Sequence, residues 1–196
     1  MKEIDRFVQI KSNNLNPDKG RLLISEPFMG DTYFGRAVVL MAEHNDEGSF
    51  GVVLNKAITA SFNDVIADFP PFDAPIYIGG PVDTNSTFYL HTMGDQIEDS
   101  NNIGNGLYWG GDIEMIKEMI LLKKLDSTSI RFFIGYSGWS PDQLNSELKM
   151  NSWLVHKKVN ESILNYPTDN MWSALLKSMG PQYEYWTKFP KDPIMN

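Results

Sequence analysis

His44, His91 and His156 are the three histidines of this sequence, and each closes or flanks an apolar run. Histidine at a strand end is suited to proton transfer or metal ligation, because its unperturbed pKa lies near neutrality. No two of them stand four residues apart and HExxH does not occur, so the helical zinc spacing is absent. Two strand-end histidines could converge with a carboxylate such as Glu43. The plainer reading, which we favour, is three hydrogen-bonded strand-end residues.

Two glycine-rich stretches offer other chemistry. Gly135-Tyr136-Ser137-Gly138-Trp139 is close to a nucleophile elbow, which needs G-x-S-x-G to hold its serine on a strained strand-to-helix turn. Here the second glycine comes one residue early and Trp139 takes its place, so a serine hydrolase is disfavoured. Gly79-Gly80-Pro81 and Gly110-Gly111-Asp112 are candidate phosphate cradles, the second at the start of a helix. Asp112 already puts a carboxylate at that helix end, and neither G-x-G-x-x-G nor G-x-x-x-x-G-K-[ST] is present. Tight turns are the simpler explanation. Among other groups, Arg36 suits bidentate capture of an anion, and His44 suits an acid–base or ligand role. Asn55 and Tyr136 would orient whatever is bound. No cofactor is expected.

These residues depend for their placement on Gly35–Asn55, GRAVVLMAEHNDEGSFGVVLN. It reads as strands Ala37–Ala42 and Phe50–Leu54 joined by a polar loop, Glu43 to Gly48. β-branched Val38, Val39, Val52 and Val53 suit a pleated surface. Both runs are nearly continuously apolar, so both faces should be covered. Further strands are expected at Arg21–Ser25, Ile76–Ile78, Thr87–His91 (as the antiparallel neighbour of Ile76–Ile78), Leu107–Trp109, Ile130–Ile134 and Trp153–Val155. Helices are expected after Ser61, over Asp112–Leu125, from Ser140-Pro141-Asp142-Gln143 as a capping box, and over Asn170–Met179. Ile4, Phe7, Val8 and Ile10 could dock as a short element. Residues 93–106, acidic and rich in Asn and Gly, read as a long surface loop. The tail from 181 is aromatic but broken by prolines, and is expected to pack loosely.

The order of elements predicts one α+β (mixed α/β) domain. Its sheet should be mixed and largely antiparallel, with no composition break that would divide it. The expected organisation is an N-terminal extension over 1–20, the domain over 21–180 and an aromatic tail over 181–196.

At 196 residues, 42% hydrophobic and 21% charged, the chain is in the ordinary globular range. It has no cysteine, which excludes disulfides, thiol catalysis and Cys-ligated metal centres, and fits a cytoplasmic protein. No apolar run approaches the roughly 18 residues that span a bilayer, and the first residues lack the apolar stretch of a secretory signal. The net charge of −8 is concentrated: residues 43–112 hold 11 acids and one base, Lys56, for −10. Such a surface repels phosphate backbones, so direct nucleic-acid binding is disfavoured.

Taken together, EHNDEGSFGVVLN at 43–55, GGPV at 79–82 and GYSGW at 135–139, with RLLISEP at 21–27 and GRAVVLMAEH at 35–44, resemble the YqgE/AlgH family of bacterial proteins. The resemblance runs from about residue 20 to about residue 180. It implies a cytoplasmic α/β protein with a mixed, partly barrel-like sheet flanked by helices. The family is described as uncharacterised or as a transcriptional regulator, and it brings no agreed catalytic residues. Its recurring polar and glycine positions match Arg36, His44, Asn55, Gly79, Gly80, Pro81, Gly135, Tyr136, Gly138 and Trp139. The expected function is a non-enzymatic regulatory or adaptor protein acting through a protein partner or small ligand. The ligand would be held by Arg36, His44, Asn55, Gly79, Gly80, Tyr136 and Trp139. The alternative is a small-molecule-binding protein or enzyme with its site around Arg36, His44 and Asn55.

Overall fold

Alternation along the central strands sorts their side chains into separate cores. The computed structural model describes residues 13–60 and 62–190. The expected elements involving Ile4, Phe7, Val8, Ile10 and the Ser61 cap, and the last residues of the tail, lie outside this range. Strands β1 (Arg21–Ser25), β2 (Val38–Asn45) and β3 (Gly48–Val53) are followed by a short helix, α1 (Phe62–Val65). Next come β4 (Ile76–Ile78), β5 (Val82–His91), β6 (Asn101–Gly104), β7 (Leu107–Trp109) and helix α2 (Ile113–Leu121). The chain continues through β8 (Ile130–Trp139), α3 (Gln143–Lys149), β9 (Trp153–Lys158), α4 (Met171–Ser178) and α5 (Pro181–Glu184).

The nine strands form one sheet in the order β6-β7-β5-β8-β3-β2-β1-β9, with β4 added to β8 off this path. Every pairing is antiparallel except β4 with β8, which is parallel. The sheet is not closed into a barrel, yet it curls far enough for its edges to meet. Asn105 Nδ2 donates to Val159 O at 3.0 Å, and Glu161 N donates to Asn105 O at 3.2 Å.

One core lies inside the curl and takes a side chain from every strand: Leu22, Leu40, Val52, Tyr77, Leu90, Ile103, Leu107, Phe133 and Leu154 are all buried there. Trp172, Leu175 and Leu176 of α4 plug it. Outside the curl, Leu23, Val39, Met41 and Val53 pack with Trp139, Trp153 and Leu144 of α3. Ile76, Tyr89, Ile130 and Phe132 pack with Phe62 of α1 and with Ile116 and Ile120 of α2. Two-sided burial explains why β2 and β3 are nearly continuously apolar.

Three expectations are corrected. Residues 93–106 are not a loop: β6 and β7 form a hairpin closed by Asn105-Gly106, both at positive φ (53° and 82°), the backbone of a type I′ turn. β4 and β5 are not neighbours but flank β8 on opposite sides. Residues 181–190 of the tail do not pack loosely, because Trp186 is 2% exposed within the interior core. Other elements fall near their expected positions, but β5 begins at Val82 and β8 runs on through GYSGW to Trp139. Asp112 caps α2 by accepting from Glu114 N and Met115 N. At α3 only half of the expected box forms, with Gln143 Oε1 accepting from Ser140 N at 3.0 Å; Asp142 is the cap residue and its side chain makes no capping bond.

Candidate functional site

The central hairpin does not gather its polar residues. Arg36 precedes β2 and His44 is near its far end, which at ~3.3 Å per residue separates them by roughly 26 Å. Arg36 lies over the Trp172 ring (5.0 Å to the centroid) and donates to Phe189 O at 2.5 Å. Burial lowers its pKa. Asn55 is at the same end as Arg36. It donates to Arg36 O at 3.0 Å and accepts from Val38 N at 2.9 Å, tying the end of β3 to the start of β2. Both residues are occupied in holding backbone and the C-terminal segment. His44, at the other end, pairs across the hairpin with Ser49, Nδ1 to Oγ 2.7 Å.

Gly79 and Gly80 serve a crossing. The chain must pass from β4, on one side of β8, to β5, on the other, and it does so at Gly135. A Cβ on Gly79 would stand 2.2 Å from Gly135 O, and one on Gly80 2.3 Å from Tyr136 C. Gly135 itself has φ +68°. Both Gly79 and Gly80 are buried, so the backbones touch each other and leave no room for a phosphate. Ser137 is fully buried and donates to Gly79 O at 2.9 Å, locking the same crossing. GYSGW runs through as continuous strand with no elbow turn, which removes the nucleophile reading.

The remaining histidines are interior. His91 is fully buried. Met93 N donates to its Nδ1 at 3.2 Å, which leaves the hydrogen on Nε2 for Gly110 O at 3.0 Å. Burial lowers the pKa of His91 and of His156. Among the described residues there is no cluster of three or more His, Asp or Glu that could hold a metal.

What converges instead is a set of rings at the open mouth of the curl. Phe50 of β3, Phe88 of β5, Trp109 of β7 and Tyr136 of β8 are half-buried and adjoin the interior core. Phe88 stacks on Trp109 at 5.5 Å and 12°, and meets Tyr136 edge-on at 5.3 Å. Phe50 lies 5.6 Å from Trp109 and 6.0 Å from Tyr136. Together with Val82 these rings floor a concavity of about 740 Å³, rimmed by Glu43, Glu47, Ser49 and Ser140. Among the described residues no lysine or arginine lines it. Trp139 borders the concavity, but its indole faces the other core and donates to Glu147 Oε2 at 2.8 Å.

Of the seven predicted site residues, the concavity therefore includes Tyr136 and Trp139, with His44 beside it through Ser49. Arg36, Asn55, Gly79 and Gly80 lie elsewhere. Phe50, Phe88 and Trp109 were not anticipated. A half-exposed aromatic on each of several strands is a visible signal, but grouping them requires the pairing order.

Comparison with known proteins places this fold. The AlgH-like family model matches residues 22–184. A UPF0301 protein of Bacteroides thetaiotaomicron is 46% identical over 189 residues, covering 96% of each chain. A UPF0301 protein of Parabacteroides distasonis is 42% identical over 200 residues, covering 100% of each. The solution structure of the AlgH protein from Pseudomonas aeruginosa superposes with TM-score 0.69 at 26% identity, covering 91% of this chain and 98% of that one. A crystal structure from Corynebacterium diphtheriae gives TM-score 0.73 at 24% identity, over 90% and 95% of the two chains.

Proposed function

We propose, from the premise that this chain belongs to the AlgH-like family, that it is a cytoplasmic, non-enzymatic regulatory or adaptor protein. It works by seating a segment of a protein partner in the aromatic concavity. The observation that carries this reading is the floor of Phe50, Phe88, Trp109 and Tyr136, rings held half-open by four different strands. Rigid aromatic rings contribute large contact area at little entropic cost and dominate binding hot spots. The volume is also that of a small-molecule site, so a compact ligand can use the same floor.

Catalysis is not part of the proposal. Ser137 is buried, and His91 and His156 sit in the interior away from the concavity. Direct operator binding is also disfavoured, because among the described residues the rim carries Glu43 and Glu47 and no base. The regulatory role, if on transcription, would then run through a partner.

A photo-crosslinking residue placed at Phe88 in the full chain tests this in cells of the source organism. The proposal expects one dominant adduct that disappears when Trp109 is also changed to Ala. No adduct at Phe88, or the same adduct from a crosslinker at exposed Leu121, would refute it.

A further inference from the structure

Arg131 is 6% exposed and has no ion-pair partner among the described residues. Its guanidinium donates to two main-chain carbonyls, Leu54 O at 3.0 Å and Leu164 O. One face lies over the Tyr77 ring, 4.5 Å to the centroid. These contacts use two of its five N–H donors and supply partial charges only. A buried cation is ordinarily paired with an anion, because the desolvation of an unpaired charge costs several kcal/mol. Among the described residues Arg131 is the one lysine or arginine that is buried, and it departs from this rule.

The missing charge has a place to sit. Arg131 lines a cavity of about 290 Å³ at the end of the curl opposite the aromatic mouth, under the 3-10 turn Glu161–Asn165. Ser127, Tyr166 and Thr168 contribute hydroxyl-bearing side chains to its wall. Among the described residues no aspartate or glutamate lines it. At about 30 Å³ per water the cavity has room for roughly ten waters, enough for a small oxyanion with a short substituent but not for a nucleotide.

We propose that this cavity is a binding site for a small oxyanion, a phosphate or a carboxylate, whose charge is met by Arg131. Ser127 and Thr168 complete its hydrogen bonds. A forked guanidinium fits two oxygens of such a group at once. The anion neutralises the buried cation and fastens Leu164, which shares the interior core with the plugging helix α4, to β8. The site is independent of the aromatic concavity.

The test uses the full chain and inorganic phosphate, sulfate and acetate against chloride at constant ionic strength. Thermal melting and equilibrium dialysis of radiolabelled phosphate are read together. Expected for the unmodified chain is saturable binding of at least one oxyanion, with a melting midpoint that rises with its concentration. Phosphate acting alone would assign a phosphate site, and acetate acting alone a carboxylate site. Arg131→Met should abolish both binding and the rise. Should Arg131→Met fail to fold, Ser127→Ala and Thr168→Val keep Arg131 in place and should each weaken binding by about tenfold, the loss of one charge-assisted hydrogen bond. No saturable binding of any of the three anions to the unmodified chain would overturn the proposal. So would unchanged binding in Arg131→Met, or in both wall variants.

Discussion

Phe88 and Trp109 stack across the β5–β7 ladder with planes 12° apart and centroids 5.5 Å apart. Each is half-buried, so each presents part of its ring to the concavity while resting on the interior core. Replacing Trp109 by Ala should cost about 2 kcal/mol, less than a fully buried tryptophan because part of the ring is already in water. Chemical denaturation checks this. The expected outcome is a folded protein with a lower midpoint and an unchanged m-value.

The crossing of residues 79–81 over β8 leaves no space for a side chain. Gly79→Ala would put a methyl 2.2 Å from Gly135 O, and Gly135→Ala would add a Cβ at φ +68° within 2.6 Å of Gly80 O. Both atoms met are backbone, so neither can swing away. Each variant should lose more than about 4 kcal/mol. Circular dichroism of the purified variants should show loss of cooperative melting.

Glu147 Oε2 accepts from two indoles, Trp139 Nε1 at 2.8 Å and Trp153 Nε1 at 2.7 Å. Gln143 Nε2 holds its other oxygen at 3.0 Å. Glu147→Leu would strand two donors in the core beneath α3 and should cost about 3 kcal/mol. Glu147→Gln keeps one acceptor oxygen and should cost roughly half as much. Thermal melts of the pair distinguish them.

Stability should depend on the two interior histidines. Burial lowers the pKa of His91 and of His156, so the unfolded chain takes up protons at a higher pH than the native one. Stability is therefore complete above about pH 6.5, the unperturbed histidine value. It falls as pH drops below that towards the lowered native values, and then levels for these groups. For His91, protonation would also aim a new Nδ1–H at the Met93 N–H. Melting midpoints from pH 8 to 5 should fall, and a His91→Gln, His156→Gln double variant should flatten that decline. An equal decline in the double variant would refute this assignment.

Much of the fold was legible because burial on both faces writes itself into sequence. The apolar runs of β2 and β3, the strand at Arg21–Ser25 and the Asp112 cap all follow from local chemistry. The β6–β7 hairpin was legible too, since Asn105-Gly106 is the preferred pair for a type I′ turn; acidic composition around it obscured that signal. The β4–β8 parallel pairing was not legible, because nothing local fixes which distant strand Ile76–Ile78 will join. The site divides in the same way. Arg36 and His44 stand eight positions apart along one extended run, so their shared site was excluded by geometry available in the sequence. Phe50, Phe88, Trp109 and Tyr136 come together only through the order β7-β5-β8-β3, a long-range property.

The proposed function places a partner or ligand on the aromatic floor and not at the polar ends of β2. A thermal-shift panel of nucleotides, sugar phosphates, organic acids, divalent metals and basic or apolar peptides tests it most directly. Any ligand at 100 times its dissociation constant adds about 2.7 kcal/mol, several degrees for a chain of this size. Each hit is then repeated on Trp109→Ala, Arg36→Ala, His44→Ala and Arg131→Met, every shift measured from that variant's own midpoint. The expected result is a hit that Trp109→Ala abolishes while the other three variants retain it. Hits that all survive Trp109→Ala and vanish in Arg36→Ala or His44→Ala would contradict it.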